Sequence, residues 1–162
     1  MATTEDRLGA YEHERVGTSF EYTLDLAADA VIPENTLVQY DGSVADAVTH
    51  AAGDDDSGLL ILAALAHQED DINDPLDVKS RRDRGGTDPQ GQFLDGVVLA
   101  LEVTESDISG YAFGDEVYAV DNETVSATQG DGGGGSYAPA GTVVGFNAAD
   151  NRVHVHVDGL VN

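Results

Sequence analysis

His154 and His156, near the end of the chain, have the spacing of a metal-binding pair. On a β-strand, residues two apart share a face, so both imidazoles could meet one ion. A metal centre needs further ligands. Asp158 is expected off the histidine face, and His13, His50 and His67 are scattered along the chain. The expectation is therefore a terminal strand whose histidines face solvent or a subunit contact, with no cofactor and no metal. The carboxylate runs Asp54-Asp55-Asp56 and Glu69-Asp70-Asp71 could attract Ca²⁺ or Mg²⁺, but neither spaces its oxygens as an EF-hand loop does. They read as solvated loops. Gly132 to Gly135 lacks the Lys-Ser/Thr that completes a phosphate loop, and no Gly-x-Ser-x-Gly occurs, so the glycine run reads as a flexible linker. Cysteine is absent, which removes disulfides and thiolate metal sites. No catalytic pair stands out from the many carboxylates, and no enzyme activity is expected.

Charge says more than any motif. The chain carries 31 Asp+Glu against 7 Lys+Arg, a formal net charge of -24 on 162 residues, yet 41% of it is hydrophobic. A disordered acidic tail would lack those apolar residues. So much like charge weakens a compact state in dilute buffer, and at molar salt the screening length falls to about 3 Å and removes most of the repulsion. Lys79 is the sole lysine and Asp outnumbers Glu. These features predict a halophilic source. They argue against nucleic-acid binding, which needs a basic face. No apolar run approaches the roughly 18 residues of a membrane span, and Met1 to Phe20 has no apolar region of the kind a secretion signal needs. Four of the basic residues crowd into Lys79 to Arg84, which makes Arg81, Arg82 and Arg84 candidates for contact with an acidic partner.

The elements that position these residues read as β. Residues 1–19 are polar and form an expected arm or short helix outside the core, with Leu8 and Tyr11 as its apolar anchors. Residues 20–162 form one domain of a size that buries about 70% of its unfolded surface. Phe20, Tyr22, Leu24 and Leu26 alternate with polar residues in the period of a half-buried strand. Thr36 to Tyr40 ends at Asp41-Gly42, a hairpin signal. Leu59 to Ala66 is an uninterrupted apolar run and reads as a buried strand. Phe93 to Val103, Glu116 to Val120, Thr124 to Ala127, Thr142 to Asn147 and Arg152 to Val157 are further strands, with a mobile insertion around 77–92. Short helices are expected only in the arm, in Ala45 to Ala52 and in Ser106 to Ser109. Many short strands with turns between them predict an all-β barrel or sandwich. There is also an internal echo. Asn35 to Gly42 followed by Val44-Ala45 resembles Asp115 to Asn122 followed by Val125-Ser126, and each then crosses a Gly/Asp loop to an apolar strand. Two related β units in one barrel would account for it, as would a coincidence between two hairpins.

Ala112-Phe-Gly-Asp-Glu-Val-Tyr, Asp121-Asn-Glu-Thr-Val-Ser-Ala-Thr, Gly141-Thr-Val-Val-Gly-Phe and Asn151-Arg-Val-His-Val-His-Val-Asp-Gly follow one another in the second half. With Ile32-Pro-Glu-Asn-Thr-Leu-Val-Gln-Tyr-Asp-Gly in the first half, this order resembles the small β-rich capsid decoration, or head-stabilising, proteins of tailed viruses. The resemblance is diffuse, spans about Thr18 to Asn162 and rests on structural motifs. It implies a homotrimer on the outer surface of a virion, bridging capsomers of the major capsid protein. With the salt signature it implies a haloarchaeal host. The polar arm and the 77–92 insertion depart from the pattern. Gly145 to Gly159 also loosely resembles the first cupin motif, which would imply a metal-binding barrel using His154 and His156. A virion-surface module that binds a host receptor is the third reading.

Overall fold

The computed structural model describes residues 13–69, 81–82 and 89–158, with 13–19, 81–82 and 89 described at the level of the backbone. In chain order the strands are β1 His13–Asp25, β2 Val31–Ile32, β3 Thr36–Tyr40, β4 Ala45–Ala47, β5 Leu60–Ala64, β6 Gln68–Glu69, β7 Arg81–Arg82, β8 Pro89–Val103, β9 Glu116–Ala119, β10 Thr124–Ser126, β11 Ala138–Asn147 and β12 Arg152–Val157. Among the described residues one 3-10 turn, Ile108–Gly110, interrupts them, started by the Asp107 side chain accepting from the Ser109 N–H. The all-β expectation holds.

The C-terminal half of β8 joins β12, β11, β9 and β10 into a five-stranded barrel. It closes where β10 pairs in parallel with β8, Thr124 opposite Glu102 and Val125 opposite Val103. Val97, Leu99, Leu101, Val117, Val125, Val143, Val153 and Val155 fill its interior and are fully buried. β5, β3 and β4 extend the sheet from β8, β1 and β7 also pair with β8, and β2 and β6 form a separate two-stranded sheet. They enclose a second cluster built on Leu26, Ile32, Val38, Leu62, Ala64 and Phe93. A bridge between Leu26 and Ala45 brings the end of β1 to β4.

Two core clusters explain the unbroken apolar run in β5. Successive side chains on a strand point to opposite faces. Ile61 and Ala63 enter the barrel cluster, whereas Leu62 and Ala64 enter the second one. β3 divides in the same way, with Leu37 in the first cluster and Val38 in the second. A wall buried on both faces has no position for a polar residue.

β8 serves both clusters by changing its phase. Phe93 packs in the second cluster and Leu94 in the first, but Val97, Leu99 and Leu101 also pack in the first. An unbroken strand would send 94, 96, 98 and 100 to one side. The phase slips at Gly96, whose φ of 76° lies where glycine alone is unstrained. The β1 ladder breaks at the same place, between Arg15/Val97 and Phe20/Asp95. This is a bulge, in which extra residues re-aim everything beyond them.

The internal echo has a structural counterpart. β3 and β4 form a hairpin, and β5 pairs back on β3. β9 and β10 form a hairpin, and β11 pairs back on β9. Both units thus have the same strand order, joined by a long loop from the second strand to the third.

Three sequence expectations need correction. The strand expected from Phe20 begins at His13, and His13, Glu14 and Arg15 pair with Leu99, Val98 and Val97. The latter part of the expected arm is therefore a sheet strand. Ala45 to Ala52 is not helical: its first residues are β4, because alternation across the hairpin outweighs the helix preference of alanine. The glycine run is not a flexible linker, for the reasons given below.

Candidate functional site

His154 and His156 stand on the outer face of β12, while Val153, Val155 and Val157 alternate with them into the barrel. Across the ladders, His154 lies opposite Ala100 and Gly145, and His156 opposite Val98 and Thr142. The Nε2 atoms of both imidazoles are buried without a hydrogen-bond partner. Asp158 corrects an expectation. Being two residues beyond His156 it shares the histidine face, and its carboxylate lies 3.9 Å from His156 Nδ1. That exceeds hydrogen-bonding distance. Among the described residues no three His, Asp or Glu side chains converge as a metal-binding group.

Behind this face lies Asp95, a buried carboxylate whose oxygen accepts the Gly96 N–H at 2.9 Å. Burial pushes its pKa above the ordinary 3.8 and the Asp158 charge adds to that, against the opposing pull of the Gly96 N–H and His156.

Of the partner-contact candidates, Arg81 and Arg82 form β7, which pairs with Gln90 and Pro89 at the start of β8. Leu8, Tyr11 and Arg84 lie outside the described residues, as does most of the 77–92 insertion.

Sequence reasoning missed the most highly organised polar cluster. It joins the two crossover loops of the paired units. His50, which follows β4, places Nδ1 2.5 Å from an Asp56 oxygen and Nε2 3.0 Å from an Asp131 oxygen. The imidazole is 6% exposed and the Asp131 side chain 2%. Tyr137 packs its ring edge-on to the imidazole, with centroids 4.6 Å apart. Asp131 also accepts the backbone N–H groups of Gly53, Gly133 and Gly135 at 2.6, 2.7 and 2.9 Å. The backbones are laced as well: the Ser136 N–H donates to the Asp54 carbonyl and the Asp56 N–H to the Ser136 carbonyl.

The electrostatics follow from those contacts. The Gly53 N–H, His50 and the Gly133 N–H hold the Asp131 carboxyl well below the ordinary carboxylate range. Burial works against protonation of His50, but the hydrogen bonds and charges of Asp131 and Asp56 together outweigh it and raise its pKa above 6.5. Chemically, the cluster is closed. Both ring nitrogens and the best-placed carboxylate are occupied by the protein itself.

The glycines are part of this closure. A Cβ on Gly135 would collide with the Asp54 carbonyl oxygen, and would stand 2.7 Å from the Gly53 carbonyl carbon and 2.8 Å from the Asp131 carboxylate. Composition cannot distinguish a glycine kept for freedom from one kept for close approach. The one available signal was the echo, which aligned the two loops without saying that they touch.

A second polar group lies at another edge of the barrel. Glu105 accepts from the Tyr111 hydroxyl and from the Ala127 N–H. Burial alone would raise its pKa, but the Tyr111 hydrogen bond leads the contacts that bring it below the ordinary value. It pins the loop before the 3-10 turn to the end of β10.

No family model, characterised protein or solved structure matches this chain.

Proposed function

We propose that the chain is a structural virion protein. It decorates and stabilises the capsid shell of a tailed virus with a haloarchaeal host, sitting on the outer surface as a homotrimer that bridges capsomers of the major capsid protein. The observation that carries the reading is how the chain spends its polar groups. The organised clusters, at His50 and at Glu105, are filled by the protein's own donors and brace loops against the barrel. They suit a scaffold better than a reaction centre. The motif order described above and the acidic coat support the same reading.

Attachment at high salt must rely on contacts that salt does not screen. Apolar contacts strengthen under salting-out conditions. Phe20, 55% exposed, Phe113, 75% exposed, and Phe146, 43% exposed, are large apolar side chains displayed on an acidic surface. Main-chain pairing of an added strand is also insensitive to salt, which suits the polar N-terminal segment to strand addition on a neighbour.

Two measurements test this. Mass photometry in molar NaCl reads the oligomeric state, with a trimer expected. Co-sedimentation with bare capsid shells reads attachment, for the full chain and for a chain lacking residues 2–12, a cut that leaves β1 whole. The full chain should pellet with shells and the shortened one should not. A monomer, or a full chain that stays in the supernatant, refutes the proposal.

A further inference from the structure

We propose that the Asp56–His50–Asp131 bridge is a proton-operated latch between the two crossover loops, closed while the imidazole carries both ring protons and opened when it loses one. The argument starts from hydrogen-bond counting. A carboxylate only accepts, and a neutral imidazole has one donor and one acceptor. Nδ1 faces Asp56 at 2.5 Å and Nε2 faces Asp131 at 3.0 Å. Donation to both at once requires the imidazolium. Neutral His50 would turn one lone pair toward a carboxylate at hydrogen-bonding distance, inside a site where water has little access.

The ionisable groups facing His50 are Asp56 from its own loop, and Asp131 and Tyr137 from the opposite loop. Two are carboxylates, and the third, Tyr137, supplies no competing positive charge. The raised pKa of His50 agrees with that setting. The folded value exceeds the unfolded one, so the stabilisation is complete below about 6.5, the ordinary imidazole value, and is lost as pH rises through the folded value.

The latch has a specific mechanical consequence. Asp131 is also the acceptor for Gly53 on one loop and for Gly133 and Gly135 on the other. When His50 loses a proton, one of its two carboxylates loses its donor, and the loops are then held only by the Asp131 contacts to these amides and by the Ser136–Asp54 and Asp56–Ser136 backbone bonds, so that opening becomes easier. The barrel strands are paired independently of it. Opening is therefore local, and it uncovers the Tyr137 ring and the glycine-rich loop at alkaline pH.

Hydrogen exchange followed by NMR on the full chain in molar NaCl tests the latch. Protection of the Gly53, Gly133 and Gly135 amides is measured from about pH 5 to about pH 9 and corrected for intrinsic exchange. One linked proton sets the steepest fall at about tenfold per pH unit, between the ordinary imidazole value and the folded His50 value, with a plateau above it. Amides of β11 and β12 should show no such fall. His50→Gln should remove the pH dependence and leave protection low throughout. Should that variant not fold, Asp56→Asn carries the same test, because an amide can donate to neutral Nδ1, so the latch should stay closed at alkaline pH and the fall should shrink or vanish. Imidazole ¹⁵N shifts supply a second readout, with both nitrogens protonated at about pH 6. A singly protonated ring at that pH, or glycine protection that ignores His50 titration, overturns the proposal.

Discussion

Gly135→Ala separates a packed glycine loop from a flexible one. In a flexible linker the change is harmless, or stabilises by about 0.4–1 kcal/mol because the unfolded chain loses freedom. The structure demands the opposite. The new methyl would collide with the Asp54 carbonyl oxygen and crowd the Gly53 carbonyl carbon at 2.7 Å. Neither atom can retreat cheaply, since the Asp54 carbonyl already accepts from the Ser136 N–H at 2.9 Å and the Asp54 N–H donates to Ala51 at 3.0 Å. Overpacking typically costs about 1–3 kcal/mol, and two obstructing backbone atoms put this case at the top of that range, about 3 kcal/mol. Gly130→Ala is the matched control, because a Cβ there meets nothing within 4 Å. Urea unfolding of both variants in molar NaCl, read by circular dichroism, gives the comparison. Equal midpoints for Gly135→Ala and Gly130→Ala would refute the packed-loop reasoning and return the loop to a linker.

Two further outcomes follow from charge. Lowering NaCl from molar to millimolar should reduce stability steadily, as the screening length grows from about 3 Å to about 30 Å around a net charge of -24; a thermal midpoint unmoved across that range would contradict it. Asp95→Asn should raise the urea midpoint at neutral pH, because the raised pKa means that ionisation of the buried carboxyl opposes folding increasingly as pH rises from 3.8 to its folded value and fully above it. The gain should vanish below about pH 3.8, where the carboxyl is protonated in both states, and a loss of stability at neutral pH would show that the charge is compensated.

Much of the scaffold was legible because period-two alternation and hairpin punctuation are local properties. Thr36 to Tyr40 with Asp41-Gly42 became β3 and its turn, and Arg152 to Val157 became β12 with the expected bounds. The candidate site was less legible. His154 and His156 were placed correctly on one face, but Asp158 was assigned to the wrong side of the same strand, a miscount of alternation rather than a failure of it. His50 stands alone in the sequence, because its partners lie 6 and 81 residues away.

Composition by itself determined the acidic coat, the absence of disulfide or thiolate chemistry and the β character of the chain, since these depend on residue type and on neighbours within a few positions. Tertiary structure decided the rest. It made β5 a wall between two cores, let Gly96 switch β8 from one core to the other, and turned a histidine, two aspartates and a run of glycines into one closed junction. Each of those depends on which distant backbones meet, and at His50 the meeting of two separate loops creates an electrostatic environment that neither loop contains alone.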